Sequence, residues 1–467
     1  MLNNLRLKFN KYNNNYKFEA SIALLFMVFG MLAWKVNYAL GAIPVILISA
    51  FLMVLYDDFK YGIPSSLVLL FSYGKGFEVE HFPFDIVIPV LFYVIFVLGF
   101  TIYHFKKEKL KHLKSCIGMI ILSISFIIPI FWATLVTKEF VVFYIMYFSW
   151  LMYTILYILM CFNLNKNSFR MMVFSFSSLT LLLGFELVFE LYRLHTVEPD
   201  RSILSFTYYI GWGLCNEAGI IICFCMPFIF YELIKSKSMI ITLFSIVKIF
   251  LCLGFLFITN SRGGLLFGGI EFISLFIMLF IIKFDMKKIK ITYIVILLSI
   301  VLSIGFRYAI NNDLFESIKN TIFKEGLDSN GRFDMWLDAI NIWKSSFRNV
   351  VFGSGIVSEI KELSLYHEVA ESFVVYHSTI FEVLVSAGLI GFIGLIIHLY
   401  EKYKMVFKKG IVFGSLLLIG YIVVDLYGMI DNTYGMYYYM VPLAILMATL
   451  RHSKNLELYN DKKLELF

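Results

Sequence analysis

Long apolar runs recur along almost the whole chain, each broken by a short polar segment. This alternation constrains the fold more than any motif does. A helix needs about 20 apolar residues to cross the ~30 Å hydrocarbon layer of a bilayer, and in lipid it must pair its backbone groups internally. Runs that meet or approach that length fall at 18–35, 40–56, 62–73, 86–103, 115–136, 140–161, 171–190, 215–234, 240–259, 264–282, 291–307, 377–399, 411–428 and 434–450. The run at 62–73 is short and reads as half of a broken pair with its neighbour. Fourteen spans are therefore expected, or twelve if some early segments are re-entrant. Composition excludes a soluble alternative: 60% of residues are hydrophobic and 16% are charged, where a soluble domain carries about 25% charge. The expected fold is an all-α, polytopic transmembrane helix bundle. Its first apolar run follows Arg6, Lys8, Lys11 and Lys17 without a small-residue cleavage site and reads as a signal anchor.

The net charge of +7 does not form a nucleic-acid face, because the basic residues lie between apolar runs. Placing the N-terminus inside puts segments 1–17, 57–61, 104–114, 162–170, 235–238, 283–290, 401–409 and 451–467 on the inner side, with 26 of the 40 Lys and Arg. The short loops opposite hold only Lys75, Lys138, Arg193, Arg201 and Arg262. That asymmetry predicts both termini in the cytoplasm. Three regions follow: an N-terminal transmembrane bundle (1–307), a large outer loop with its own helices (308–376), and C-terminal transmembrane helices with a cytoplasmic tail (377–467). Inner basic residues are mostly Lys, whereas the outer side carries Arg193, Arg201, Arg262, Arg307, Arg332 and Arg348 against six Lys. Lysine suffices to hold a loop against anionic lipid. The planar fork of arginine is what grips phosphate, so the functional site is expected on the outer face. The six cysteines all lie in or at the ends of apolar runs without a CxxC pair, and read as free thiols among helices.

Several polar groups on the outer side could carry chemistry. Thr259-Asn260-Ser261-Arg262-Gly263-Gly264 joins two spans, and its glycines permit a tight turn and close approach of a ligand; the plain alternative is a hairpin with a snorkelling arginine. Asn330-Gly331-Arg332 opens a loop helix with Trp336, Ile340 and Trp343 at helical spacing. Arg332 is unfavourable to the dipole of that helix unless an anion sits between them, and the plain alternative is an exposed loop arginine. Val351-Phe352-Gly353-Ser354-Gly355 is expected to break that helix, with a second helical stretch near Glu359–Val375. Tyr376-His377-Ser378-Thr379 stands where the loop re-enters the membrane, ahead of Ala387, Gly388, Gly391 and Gly394, small residues that allow close helix packing. His377 suits proton abstraction, or serves as a structural hydrogen-bonder. Glu382 lies about 140° around the helix and is expected to orient it poorly. Arg201, Asn216 and Glu217 are softer substrate-binding candidates. Asp431, Asn432 and Tyr434 read chiefly as one more structural turn. No phosphate-binding glycine loop and no outer DXD pair are present, and Lys35 and Lys248 read as snorkelling mid-span charges.

The order of a Ser-Arg-Gly-Gly turn, a Gly-Arg…Trp segment in a large outer loop, a Gly-Ser-Gly turn, and a histidine before Ala-Gly-Leu-Ile-Gly resembles the O-antigen ligase/polymerase superfamily over residues 210–400. The first 200 residues resemble it by topology alone. The resemblance implies a C-type glycosyltransferase-like bundle in a bacterial cytoplasmic membrane, and a metal-independent transferase with no cofactor. Its donor and acceptor would be polyprenyl-pyrophosphate-linked glycans, with a chain-length regulator as a candidate partner. Carried over by position, Arg262 and Arg332 would bind the pyrophosphate and His377 would act on the acceptor hydroxyl, with Trp336 a substrate-binding candidate. Where the family often has His-Asn, this chain has His377-Ser378, which puts the histidine's orientation in question. Repeat-unit polymerisation is the favoured activity, with transfer to lipid A core or protein as the alternative. A lipid-linked glycan flippase is the alternative from another class, although the internal repeats expected of a transporter are not evident.

Overall fold

The computed structural model describes residues 12–13, 15–73, 84–104, 116–132, 140–197, 210, 213, 215–236, 238–259, 261–281, 332–355 and 376–452. Among these every regular element is helical. The helices are α1 (Tyr16–Lys35), α2 (Tyr38–Tyr56), α3 (Gly62–Phe71), α4 (Phe84–Tyr103), α5 (Ile117–Ile127), α6 (Phe140–Asn163), α7 (Ser168–Val197), α8 (Cys215–Lys235), α9 (Met239–Ile258), α10 (Arg262–Ile281), α11 (Arg332–Lys344), α12 (Phe347–Phe352), α13 (Thr379–Val406), α14 (Ile411–Tyr427) and α15 (Tyr437–His452). Asparagines supply starts at the N-terminal end. Asn15 Oδ1 accepts from the Lys17 and Phe18 amides, and Asn37 Oδ1 from that of Ala39, pairing donors that the first turn of a helix leaves open.

Eight described helices are long and apolar enough to cross a membrane. Shorter apolar helices cover Phe59–Phe71, Ile117–Phe131, Tyr147–Asn163 and Ile411–Tyr427. The chain is an all-α multi-pass membrane protein. The ten residues of α3 rise only about 15 Å and are largely buried, in keeping with a segment that does not span alone. The expected span at 291–307 lies outside the described residues. Helices α7 and α8 form the centre, with 78% and 89% of their apolar windows buried, whereas α4 and α10 bury 28% and turn most of their surface outward. Around that centre α1 packs on α7, α14 and α10 on α8, and α5 on both α6 and α13.

Contacts sort the helix ends into the same two groups as the charge pattern. At one end Glu19 pairs with Lys60 (2.7 Å) and Arg170, His104 with Asp57 (2.8 Å), and the Asn165 amide with Asp58 (3.1 Å). His452 there meets the Cys161 carbonyl (2.9 Å). At the other end the Trp34 indole donates to Ile210 O (3.1 Å), the Trp132 indole to Gly353 O (3.1 Å), and the Thr379 amide to Gly428 O (2.8 Å).

Two lysines buried inside the bundle are paired with carboxylates, as the cost of burying a lone ion in lipid demands. Lys248 is 1% exposed and meets Glu232 at 2.7 Å, so it does not snorkel as its sequence position suggests. Lys402 similarly meets Asp425 at 2.6 Å. Lys35 rests its ammonium over the Phe189 ring, 3.4 Å from the centroid, a cation–π contact. All six cysteines are free, five of them buried.

Candidate functional site

The segment ahead of α13 packs on the bundle through α11 and α12. Helix α11 begins at Arg332 as expected, but it ends at Lys344, earlier than the expected break. Ser346 then caps the short α12, its hydroxyl accepting from the Asn349 amide (3.1 Å). The turn Gly353-Ser354-Gly355 follows and lands on α13 where that helix is broken. Gly388 has φ 63° and ψ −163°, which frees the carbonyls of the turn before it. Ser354 N donates to Val385 O (2.8 Å) and Gly355 N to Ser386 O (3.3 Å). The break and the turn therefore satisfy each other's backbone groups. The second helical stretch expected near Glu359–Val375 lies outside the described residues, as do Arg201, Arg307 and Asn330.

Residues 376–379 are fastened from several directions. The Trp336 indole donates to Tyr376 O (2.9 Å), and its ring stacks on Phe381 at 5.4 Å between centroids. Trp336 thus anchors α11 to the start of α13. Glu382 accepts from the Tyr376 amide (3.3 Å) and from the Ser386 hydroxyl (3.3 Å). It orients the backbone before the helix rather than the imidazole, so the angular argument against it as a direct partner of His377 missed this route. Thr379 N holds Gly428 O, and Thr379 Oγ1 accepts from the Thr433 amide (3.2 Å). Within this clasp His377 adopts φ 46°, a positive value uncommon outside glycine, though less so for Asn, Asp and His than for other residues. Such outliers cluster at functional sites, where the surroundings over-determine them. Burial beside Glu382 and Asp338 raises the pKa of Tyr376, keeping that phenol neutral.

Opposite His377 stands Asp431, 54 residues on in sequence, in the turn between α14 and α15. Its Oδ1 lies 3.4 Å from His377 Nδ1 and its Oδ2 lies 4.0 Å from Arg332 Nη2. The Asn432 amide donates to Oδ1 at 2.8 Å. Asp431 is 7% exposed, whereas the side chains of His377 and Arg332 are 41% and 25% exposed. The geometry is that of an orienting carboxylate behind a more accessible imidazole. With Nδ1–H directed at Asp431, Nε2 is left as the basic nitrogen. Sequence reasoning read Asp431 chiefly as part of a structural turn and did not place it beside His377. The signal was a short Asp-Asn-Thr turn on the same side of the membrane as His377.

Arg262 is the first residue of α10 and is exposed. The preceding Ser261 hydroxyl donates to Asn216 Oδ1 (2.7 Å), contacts the Tyr427 hydroxyl (2.5 Å) and accepts from the Gly264 amide (3.0 Å). Tyr427 closes α14, so Arg262 and Asn216 share the end of the bundle that carries Asp431. Glu217, next to Asn216, acts electrostatically on Tyr438, whose hydroxyl donates to Asn432 O (2.8 Å). A Cβ at Gly263 would stand 2.6 Å from the Tyr427 ring. That glycine makes room for a tyrosine of the bundle, where the sequence suggested room for a ligand.

Glu382 offers a test of the clasp. Replacing it with Ala is expected to lower turnover about tenfold with little change in KM, because the backbone under His377 loosens while substrate contacts remain. Glu382→Gln keeps an acceptor for the Tyr376 amide and should restore most of the rate. Equal losses in both variants would show that the negative charge, not the backbone bond, is what matters.

The chain is thus a multi-pass helical membrane protein with arginine, imidazole and carboxylate gathered at one end of its bundle. Residues 247–396, from α9 to the middle of α13, match the family model described as O-antigen ligase. The match places this segment in the O-antigen ligase/polymerase superfamily and supports a glycan-transferring function for the protein. It takes in Arg262, Arg332 and His377 and stops short of Asp431. No curated protein matches the chain.

Proposed function

We propose that the protein polymerises polyprenyl-pyrophosphate-linked oligosaccharide repeat units on the outer face of a bacterial cytoplasmic membrane. The meeting of His377 and Arg332 on Asp431 carries this reading. In the sequence most basic residues fall in the connections that alternate with those carrying His377 and Asp431, which favours an extracytoplasmic site and cytoplasmic termini. In the reaction an acceptor hydroxyl oxygen bonds to the anomeric carbon of the donor sugar as that carbon parts from the diphosphate oxygen. The hydroxyl proton passes to His377 Nε2, and Asp431 stabilises the imidazolium that forms. Arg332 and Arg262 balance the negative charge that grows on the departing diphosphate, so they act more strongly in the transition state than in the ground state.

Purified protein in nanodiscs, given a defined polyprenyl-diphosphate repeat unit, should yield a ladder of longer glycans. His377→Ala and Arg332→Ala should abolish the ladder while the protein still inserts and melts as the parent does. Wild-type rates in both variants would remove the mechanism. The family description favours a second reading, transfer of a finished chain to lipid A core or another acceptor. That reading predicts one transfer product and no ladder. A flippase would move the lipid-linked glycan across vesicles and form no glycosidic bond.

A further inference from the structure

Away from His377, the outer end of α5 and the short α12 build a second cationic feature. Helix α5 continues as a 3-10 turn, Ile128–Phe131, and ends at Trp132. The Trp132 indole N–H is bound to Gly353 O, and the Arg348 guanidinium lies over its ring, 5.2 Å from the centroid. Arg348 is exposed, and among the described residues no carboxylate pairs with it. Phe131 and Phe347, the chain neighbours of Trp132 and Arg348, are 86% and 83% exposed. Arg348 Nε donates to Asn349 Oδ1 (3.5 Å), and a guanidinium over an aromatic ring can offer its remaining N–H groups to a phosphate.

Height along the bundle gives this feature a meaning. From Gly388 to Val406 α13 rises about 27 Å, close to the ~30 Å hydrocarbon thickness. A span running from Gly388 to Val406 would set the Gly353 turn, docked at Gly388, at the outer boundary of the membrane. Phe131 and Phe347 would then sit where aromatic side chains meet lipid, with Arg348 at headgroup level. From that dock the outer segment of α13 leads back over nine residues, about 14 Å, to Thr379 and so to His377. A polymerase must do two things with its acceptor: bring the far sugar to the catalytic base, and keep the acceptor's own diphosphate at the membrane surface.

We infer that Arg348 on Trp132, with the exposed Phe131 and Phe347 as their chain neighbours, is the docking site for the polyprenyl diphosphate of the lipid-linked acceptor. This inference rests on the polymerase reading above. It assigns the two lipid-linked substrates to separate anion sites: the donor diphosphate to Arg332 and Arg262, and the acceptor diphosphate to Arg348.

The test compares two acceptors in nanodiscs at saturating donor: the polyprenyl-diphosphate repeat unit, and the same glycan without its lipid and diphosphate. Arg348→Ala is expected to raise KM for the lipid-linked acceptor about tenfold, leaving kcat unchanged. Transfer to the lipid-free glycan should proceed as in the parent. Arg348→Lys, which keeps the charge and loses the fork, should fall between. Parent-like kinetics of Arg348→Ala on the lipid-linked acceptor would overturn this inference alone. So would an equal effect on both acceptors that follows the anionic phospholipid content of the disc, since the site would then hold phospholipid. A parent protein that fails to elongate the lipid-linked acceptor would overturn the polymerase reading and this inference with it.

Discussion

Asp431→Asn is expected to cut the rate of chain elongation by about 10²–10³-fold, with a smaller change in KM. Asparagine keeps the size of the side chain and an oxygen able to accept from His377 Nδ1–H. What it removes is the charge. That charge matters most after the proton has moved, when the imidazolium faces a buried carboxylate 3.4 Å away. It also matters for Arg332, whose guanidinium stands 4.0 Å from the other oxygen. A neutral partner would leave both cations without their balance in the transition state. The measurement is single-turnover transfer from a defined lipid-linked donor, alongside a melting curve to show that the 428–436 turn is intact. Unchanged turnover in Asp431→Asn, with His377→Ala inactive, would make Asp431 a support of the turn and no part of proton transfer. A loss in KM alone would move it to substrate binding.

The asymmetry between what could and could not be read from the residues has a physical cause. A span declares itself locally, because twenty consecutive residues must all tolerate lipid. The run at 18–35 became Tyr16–Lys35, and that at 264–282 became Arg262–Ile281. Arg332 and His377 were visible because a helix start and a membrane boundary are local features too. Pairings across the bundle are not local. His377 and Asp431 are separated by two spans, Lys402 and Asp425 lie on successive helices, and Lys248 looked like a snorkelling charge until Glu232 on α8 was seen beside it. Lipid requires each buried charge to have a partner, so the sequence says that one exists without saying which. The break in α13 was hidden for a different reason. A glycine among Ala387, Gly391 and Gly394 reads as a packing surface, and only its backbone angles show that it also ends a helical segment.

That break makes Gly388→Ala the sharpest test of how the site is assembled. Gly388 combines φ 63° with ψ −163°, a region nearly closed to residues with a side chain and costing about 1–3 kcal/mol when forced. Space is equally unforgiving. An added Cβ would lie 2.5 Å from both Gly353 N and Val351 O, and these are backbone atoms that cannot rotate away. Relief must come from lifting the Gly353 turn off α13 or from straightening the helix. The first abandons the bonds from Ser354 and Gly355 to the Val385 and Ser386 carbonyls. The second draws Thr379 from Gly428 and with it His377 from Asp431. Either route is expected to cost at least about 3 kcal/mol, read as a fall in melting temperature in nanodiscs, and to abolish elongation. Gly99→Ala is the control: its Cβ would meet nothing within 4 Å, and alanine in a helix is favoured over glycine by about 0.5–1 kcal/mol. If Gly388→Ala melts and elongates like the parent, the kink does not position the histidine, and the clasp at Thr379, Gly428 and Thr433 must hold the site without it.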